Sequence, residues 1–171
     1  MTVREEAMTA PAPNPPMGIL ERRRIEAEII KPIYEEMKAA FGEEAARGVL
    51  ERAVKKAAVE AGRQFAAQAP GGTSIAAFAA IQPLWTQGDA LRIEPVAQDE
   101  KTLAFNVTRC RYAEMYRAMG LGEIGHLLSC NRDGTFIEGY DSRIKMDRTQ
   151  TIMQGASHCD FRYRMAEDGK P

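Results

Sequence analysis

All three cysteines and both histidines of this 171-residue chain fall between residues 110 and 159. They are Cys110, His126, Cys130, His158 and Cys159, and the first hundred residues contain neither residue type. Thiols and imidazoles serve proteins as nucleophiles, general bases and ligands for soft metals. We therefore expect any chemistry in the last third of the chain. The N-terminal half is expected to be scaffold or an oligomer interface.

Helical spacing predicts that some of these side chains share a face. His126 and Cys130 are four residues apart on a predicted helix, and Cys110 and Glu114 have the same spacing on the helix before it. Alternation along the last predicted strand directs Cys159 toward the core. The sequence thus predicts one pocket in which His126, Cys130 and Cys159 meet.

The same residues also have a purely structural explanation. A free cysteine on an apolar face is more often a small buried hydrophobe than a nucleophile. No spacing matches a zinc-finger pattern, and no phosphate-binding glycine motif or nucleophile elbow is present. We therefore expect no firm cofactor, and we keep a divalent ion such as zinc, held by His126, Cys130 and Cys159, as the alternative.

Composition narrows the class of protein. The formal net charge of −1 lacks the excess of positive charge that is typical of proteins that bind nucleic acid. No apolar run reaches membrane-spanning length, and the N-terminus has no hydrophobic signal core. Three cysteines without an export signal are expected to be reduced. We expect a soluble cytoplasmic protein whose partner is a small molecule, with neither nucleic acid nor membrane as a partner.

The N-terminal part is predicted to be a tail followed by a helical arm. Residues 1–16 are rich in proline and cannot bury apolar area, so we expect a disordered tail. Residues 17–70 form the arm, with one helix from residue 17 that Pro32 kinks or restarts and a second helix over residues 42–68. Their apolar stripes predict a homo-oligomer built through these helices.

The Pro-Gly-Gly break at residues 70–72 marks the start of the second part, residues 71–165, which we expect to be the catalytic or ligand-binding region. Ser74 or Thr73 is predicted to cap a short helix that ends near residue 85. Strands are then predicted over 90–96 and 102–108, and the break at residues 98–100 between them indicates a hairpin. Helices are predicted over 111–119 and 123–136, and further strands over 144–153 and 158–165. The expected fold class is α+β, with the N-terminal helices packed on a small antiparallel sheet that carries a central helix pair. Residues 166–171 are predicted to be a tail.

The runs NVTRCRYAEMYRAMGLGEIGHLLSCNRDGTFIEGY and RTQTIMQGASHCDFRY resemble the L-2-amino-thiazoline-4-carboxylic acid hydrolase family. The resemblance covers roughly residues 20–165 and is most specific from residue 106 to residue 163. It implies a hydrolase that opens a non-peptide C–N bond in a small cyclic amidine, isothiourea or amide. The member that gives the family its name converts 2-aminothiazoline-4-carboxylate to S-carbamoyl-cysteine.

The order of elements is also similar to that of the 4-vinyl-reductase-type domain, a small-molecule sensor fold that often carries a cysteine-rich zinc site. Cys130 and Cys159 fall near two cysteine positions of that domain, and Thr151 stands where a further cysteine is expected. This second resemblance implies the alternative function, a non-catalytic small-molecule-binding or sensor domain with a Cys/His site.

The implied reaction has two possible mechanisms, which the sequence leaves open. Either a cysteine thiolate attacks the amidine-like carbon, or a metal-bound hydroxide does, and a carboxylate or histidine moves the protons. We favour the thiolate slightly. The candidate catalytic residues are Cys130, His126, Cys159, Glu114 and Asp133. The candidate substrate-binding residues are Arg148, Asn131, Cys110 and Arg162, where Arg148 or Arg162 is expected to bind a substrate carboxylate through two parallel hydrogen bonds.

Overall fold

The computed structural model describes residues 17–166. The predicted N-terminal tail, residues 1–16, and all but the first residue of the predicted C-terminal tail, 166–171, lie outside the described residues. The fold is α+β, as predicted, with helices on a four-stranded antiparallel sheet. Within residues 17–166, no helix combines the length and the apolar character that crossing a bilayer requires.

Two long helices form the N-terminal part. Helix α1 spans Ile19–Phe41, and helix α2 spans Glu43–Ala67. Gly42 joins them with φ +84°, a left-handed conformation that glycine adopts without strain. The restart predicted at Pro32 is wrong, because α1 runs through this residue as one helix. Pro32 lies on the exposed side of α1, where solvent can satisfy the carbonyl group that its missing N–H leaves free.

The short helix predicted after α2 is divided in two. Helix α3 spans Ile75–Ile81, and its predicted cap is confirmed, because the Ser74 hydroxyl accepts a hydrogen bond from the backbone N–H of Ala77. Helix α4 spans Pro83–Thr86 and begins at its proline, which cannot continue a hydrogen-bonded helix from α3.

The sheet has the strand order β1-β2-β4-β3, and all neighbouring strands are antiparallel. Its strands are β1, Leu91–Gln98; β2, Thr102–Cys110; β3, Ile144–Asp147; and β4, Cys159–Met165. The predicted hairpin of β1 and β2 is confirmed. The strand predicted over residues 144–153 is too long, because the chain leaves the sheet after Asp147 and forms a 3-10 turn at Ile152–Gln154 that the Thr151 side chain caps.

The central helices lie between β2 and β3 in the chain. Helix α5 spans Arg111–Ala118, a π-helical turn spans His126–Cys130, and helix α6 spans Asn131–Tyr140. The single helix predicted over residues 123–136 is therefore wrong in its bounds and in its regularity.

Helix α6 crosses α2 at very short distance. A Cβ atom placed on Gly139 would lie 2.0 Å from the carbonyl oxygen of Val59, and one on Gly62 would lie 2.2 Å from the carbonyl oxygen of Phe136. The two glycines thus bring the backbones together, and this contact sets the position of α6 over the sheet.

Two apolar clusters form the core. One lies among α1, α2, α5 and the π-helical turn and includes Leu50 and Tyr116. The other lies between the sheet and helices α3 and α6 and includes Phe78, Phe105 and Ile137. The candidate site described next is built where residues of both clusters meet.

Candidate functional site

A cavity of about 170 Å³ lies between the inner face of the sheet and the helices. Eight aromatic residues contribute to its walls: Phe65, Phe78, Trp85, Phe105, Tyr112, Phe136, Phe161 and Tyr163. Because an engineered apolar cavity of roughly 150 Å³ holds benzene, this space suits a single small ring.

All three thiols line this cavity. Cys110 ends β2 and caps α5, where its Sγ accepts a hydrogen bond from the N–H of Ala113 at 3.4 Å. Cys130 ends the π-helical turn. Cys159 begins β4, and its Sγ accepts a hydrogen bond from the N–H of Ile152 at 3.2 Å. The end of one strand, the start of another and the irregular helix thus place the three sulfur atoms around one space.

The surroundings of the thiols keep them protonated. Burial raises the pKa of Cys130 to about 12, and the neighbouring Asp133 carboxylate acts in the same direction. Burial also raises the pKa of Cys110 to about 11 and raises that of Cys159. A thiol in this cavity therefore needs a base to remove its proton before it can attack at neutral pH.

A largely buried ion pair lies beside the thiols. Arg148 donates from Nη1 to Asp133 Oδ2 at 2.5 Å and from Nη2 to the carbonyl oxygen of Cys130 at 2.9 Å. The Asp133 and Arg148 side chains are 29% and 11% exposed. The guanidinium also lies over the Phe161 ring, 4.9 Å from its centroid. Burial raises the pKa of Asp133, although Arg148 opposes this shift.

More positive charge lies where α1 meets α6. Arg23 donates to both carboxylate oxygens of Glu26 at 2.6–2.8 Å, and Arg132 lies 3.5 Å from the same carboxylate. Arg22 also lies 3.5 Å from it. All three arginines line the cavity. None of the three was predicted as a site residue. Arg132 directly precedes Asp133 in the run that carries the family resemblance, whereas no sequence signal distinguishes Arg23 from its neighbours.

The structure does not bring His126 to the cavity. Its ring lies one turn before Cys130, beside the first part of α2, and its Nε2 is 3.5 Å from Arg47 Nη2. Burial lowers the pKa of His126, and Arg47 lowers it further. The expectation that His126 meets Cys130 and Cys159 is therefore corrected, since the two ends of the π-helical turn face different neighbours.

Glu114 also lies away from the thiols. Its carboxylate accepts a hydrogen bond from Arg109 Nε at 2.9 Å on the exposed side of α5. Helix α5 begins at Cys110 as its cap, so the expected pairing of Cys110 and Glu114 on one inward face does not form.

Two predicted substrate-binding residues lie outside the cavity lining. Arg162 sits between the inward positions 161 and 163 of β4, so it faces the other side of the sheet. There it donates to the carbonyl oxygen of Phe105 at 2.9 Å and to Asn106 Oδ1 at 3.0 Å. Asn131 begins α6, and its carbonyl oxygen accepts a hydrogen bond from the Thr135 hydroxyl at 2.7 Å.

The predicted residues that do line the cavity are Cys110, Cys130, Asp133, Arg148 and Cys159. Their roles in catalysis or substrate binding stay predictions. In residues 17–166, no three His, Cys, Asp or Glu side chains are grouped closely enough to hold a metal ion. The zinc ligands expected from the sequence are therefore not brought together in this part of the chain.

Comparison with known families assigns the chain. A sequence model of the family described as L-2-amino-thiazoline-4-carboxylic acid hydrolase matches residues 22–163. The chain belongs to this family. A comparison with curated proteins finds no match.

Two solved structures are similar to this chain. The crystal structure of the phenol-responsive sensory domain of the transcription activator PoxR with phenol is 16% identical, with a TM-score of 0.52, over 86% of this chain and 76% of that chain. A trafficking protein particle complex subunit 3 from Naegleria fowleri, covalently bound to palmitic acid, is 13% identical, with a TM-score of 0.46, over 86% of this chain and 96% of that chain. The first likeness shows a common fold.

Proposed function

We propose that this protein hydrolyses a C–N bond in a small cyclic amidine or isothiourea, with 2-aminothiazoline-4-carboxylate as the model substrate. The observation that carries the proposal is the cavity in which Asp133 and three thiols adjoin a space for one small ring. Membership of the hydrolase family supports the same reaction class.

Asp133 is the proton carrier in this proposal. Burial raises the pKa of its carboxyl group above that of a free aspartate, which makes the carboxylate a stronger base. The ion pair with Arg148 fixes the direction of the carboxylate. No imidazole lines the cavity among the described residues, so a carboxylate has to do the work that histidine was expected to do.

The proposed reaction proceeds in two steps. Asp133 takes the proton of the Cys130 or Cys159 thiol as the sulfur attacks the amidine carbon, and it passes that proton to the ring nitrogen as the ring C–N bond breaks. Water then attacks the same carbon, and the cysteine leaves and recovers its proton. The product from the model substrate is S-carbamoyl-cysteine, and no oxidant or reductant is needed.

The second candidate function is binding of a small aromatic or heterocyclic molecule without turnover. The observation that favours it is the protonated state of the thiols, since burial raises the pKa of each one. The aromatic walls of the cavity suit such a ligand equally well.

One experiment separates the two candidates. The purified chain is incubated with 2-aminothiazoline-4-carboxylate, and the product is followed by NMR. Occupancy is followed by fluorescence, because Trp85 lines the cavity and is the single tryptophan of the chain. Hydrolysis predicts product formation that Asp133→Asn lowers by more than about a hundredfold. The matched control is Asp147→Asn, which removes a carboxylate from an exposed ion pair with Arg164 and should leave the rate unchanged.

The thiol step is tested by Cys130→Ser and Cys159→Ser, at least one of which should lose activity by a similar factor. Saturable quenching of Trp85 without product would favour binding alone. Absence of both quenching and product would refute both functions for this class of ligand.

A further inference from the structure

Arg148, the residue expected from the sequence to hold a substrate carboxylate, is already engaged within the protein. Its Nη1 donates to Asp133, and its Nη2 donates to the carbonyl oxygen of Cys130. These contacts fix the guanidinium in place and engage both of its terminal nitrogens. The other arginines that line the cavity are therefore also candidates for binding a substrate anion.

The arginines where α1 meets α6 have unbalanced charge. The Arg23 and Arg132 side chains are 16% and 15% exposed, and within the described residues Glu26 is the carboxylate that both share. Arg132 uses its Nε for the carbonyl oxygen of Leu128. Asp133 also attracts both guanidinium groups at longer range, but it is already paired with Arg148. Three largely buried cations thus face two carboxylates at the cavity, an arrangement that costs folding free energy unless a further anion is present.

We propose that Arg23 and Arg132 bind the carboxylate group of the ligand while its ring occupies the aromatic cavity. This inference rests on the proposed function for the identity of the ring, and it names the ligand class as small cyclic carboxylic acids. Arg132 lies next to Asp133 in α6, so a ring between them presents its carboxylate to one residue and its amidine to the other. Helix α1 contributes to specificity through Arg23.

The test compares ligands that differ by the carboxylate alone. Binding of 2-aminothiazoline-4-carboxylate and of 2-aminothiazoline is measured by quenching of Trp85, and benzoate and benzyl alcohol serve as a second pair without the amidine. The unmodified chain should bind each acid at least about tenfold more tightly than its neutral partner. Arg23→Gln and, separately, Arg132→Gln should remove this preference and leave binding of the neutral probes within about twofold.

The matched control is Arg164→Gln, which removes an exposed guanidinium away from the cavity and should change nothing. Equal binding of acids and neutral probes by the unmodified chain would overturn the inference. So would equal weakening of both probes in the two variants, because that result indicates a structural role. An acid preference that Arg23→Gln removes, in a protein without turnover, would support the inference and refute hydrolysis. Failure of all four probes to bind would refute both.

A different observation concerns the outer face of α1. Ile25, Ile29 and Ile33 recur every four residues and are 42%, 62% and 50% exposed. Successive members lie about 40° apart around the helix, so the three form a short apolar stripe. Arg22 and Glu36, both exposed, flank this stripe at its two ends.

The stripe is self-complementary in an antiparallel pair of α1 helices. With the two-fold axis at Ile29, residues equidistant from it meet: Ile25 meets Ile33 of the partner subunit, and Arg22 meets Glu36 of the partner subunit. Each ion pair then occurs twice, as an isologous interface requires. We also infer, from this match of charge and apolar positions, that the chain forms a two-fold dimer through α1.

Sedimentation equilibrium of the full chain tests the dimer. Ile29→Glu places like charges at the axis and should give a monomer. Arg22→Glu should weaken the dimer by about tenfold or more, and Arg22→Glu with Glu36→Arg should restore it. The control Val96→Glu, at a 54% exposed apolar residue of β1, should remain dimeric.

A monomeric unmodified chain would overturn the dimer, as would failure of the charge exchange to restore association. Deletion of residues 1–16 tests whether the N-terminal residues, instead of a second copy of the chain, cover the stripe. The dimer should survive this deletion, whereas a dimer that forms only after it would show that the N-terminal residues cover α1.

Discussion

Replacement of Gly139 with alanine tests the contact that positions α6. A Cβ atom at this residue would lie 2.0 Å from the Val59 carbonyl oxygen and 2.8 Å from its carbonyl carbon. Both atoms belong to the backbone of α2, so no side chain can rotate away. The helices would have to separate by about 1.4 Å before the contact reaches 3.4 Å, where ordinary van der Waals distances begin.

The expected loss of stability follows from two opposing terms. Glycine to alanine within a helix stabilises by up to about 1 kcal/mol. Overpacking costs about 1–3 kcal/mol, and a backbone-to-backbone collision belongs at the upper end. The net effect is a loss of about 2 kcal/mol. In a chain of this size, that loss lowers Tm by about 4–8 °C.

Thermal and urea unfolding, followed by circular dichroism, measure this difference against a matched variant. Gly48 is also within α2, but a Cβ there would lie 3.3 Å from Arg52 Nη1, the mobile end of a long side chain. Gly48→Ala should therefore raise the free energy of unfolding by about 0.5–1 kcal/mol. The two substitutions are thus expected to change the free energy of unfolding in opposite directions. A rise of Tm in Gly139→Ala would refute the close crossing of α2 and α6.

Three further outcomes concern the cavity. Iodoacetamide at pH 8 should modify Cys110 and Cys130 roughly a hundredfold more slowly in the native chain than in urea, since their pKa values of about 11 and 12 exceed the usual value of about 8.5. Equal labelling rates would contradict their burial. Because the pKa values are raised in the folded state, the free energy of unfolding should also fall as pH rises from about 9 toward 12. Ala58→Leu, at a 1% exposed residue that lines the cavity, should abolish quenching by ring ligands at a cost of about 1–3 kcal/mol, as measured by titration and by urea unfolding. Asp133→Leu should destabilise by about 3 kcal/mol because it leaves Arg148 buried without its partner, and adding Arg148→Met should recover most of that loss in urea unfolding.

Local patterns in the sequence predicted the sheet well. Alternation placed Cys159 on the inner face of the last strand, and it lines the cavity together with Phe161 and Tyr163 of the same strand. The break at Gln98 and Asp99 correctly predicted the β1–β2 hairpin. These features depend on residues that are neighbours in the chain, and a period of two fixes the face of a strand without tertiary information.

Features that depend on contacts between distant elements were not predictable in this way. His126 and Cys130 have a spacing that suits one helix face, but the neighbours of that face are set by how α6 crosses α2. That crossing depends on Gly62 and Gly139, which the sequence analysis did not connect. The ion pair of Arg148 was not predictable for a similar reason, because its partner Asp133 lies in α6, fifteen positions earlier in the chain.

The charges at the cavity are better explained by a ligand than by folding. A largely buried ion pair such as Asp133 with Arg148 contributes little net stability, because removing two charges from water offsets most of their attraction. The sharing of Glu26 by Arg23 and Arg132 is less favourable still, since one cation lacks a full partner. Apolar side chains would fill the same space with greater stability, as they do elsewhere in the core. Both arrangements lie on one cavity whose lining also includes eight aromatic side chains. A ring with a carboxylate and a basic amidine supplies the missing anion and a donor for Asp133, so it satisfies both clusters at once.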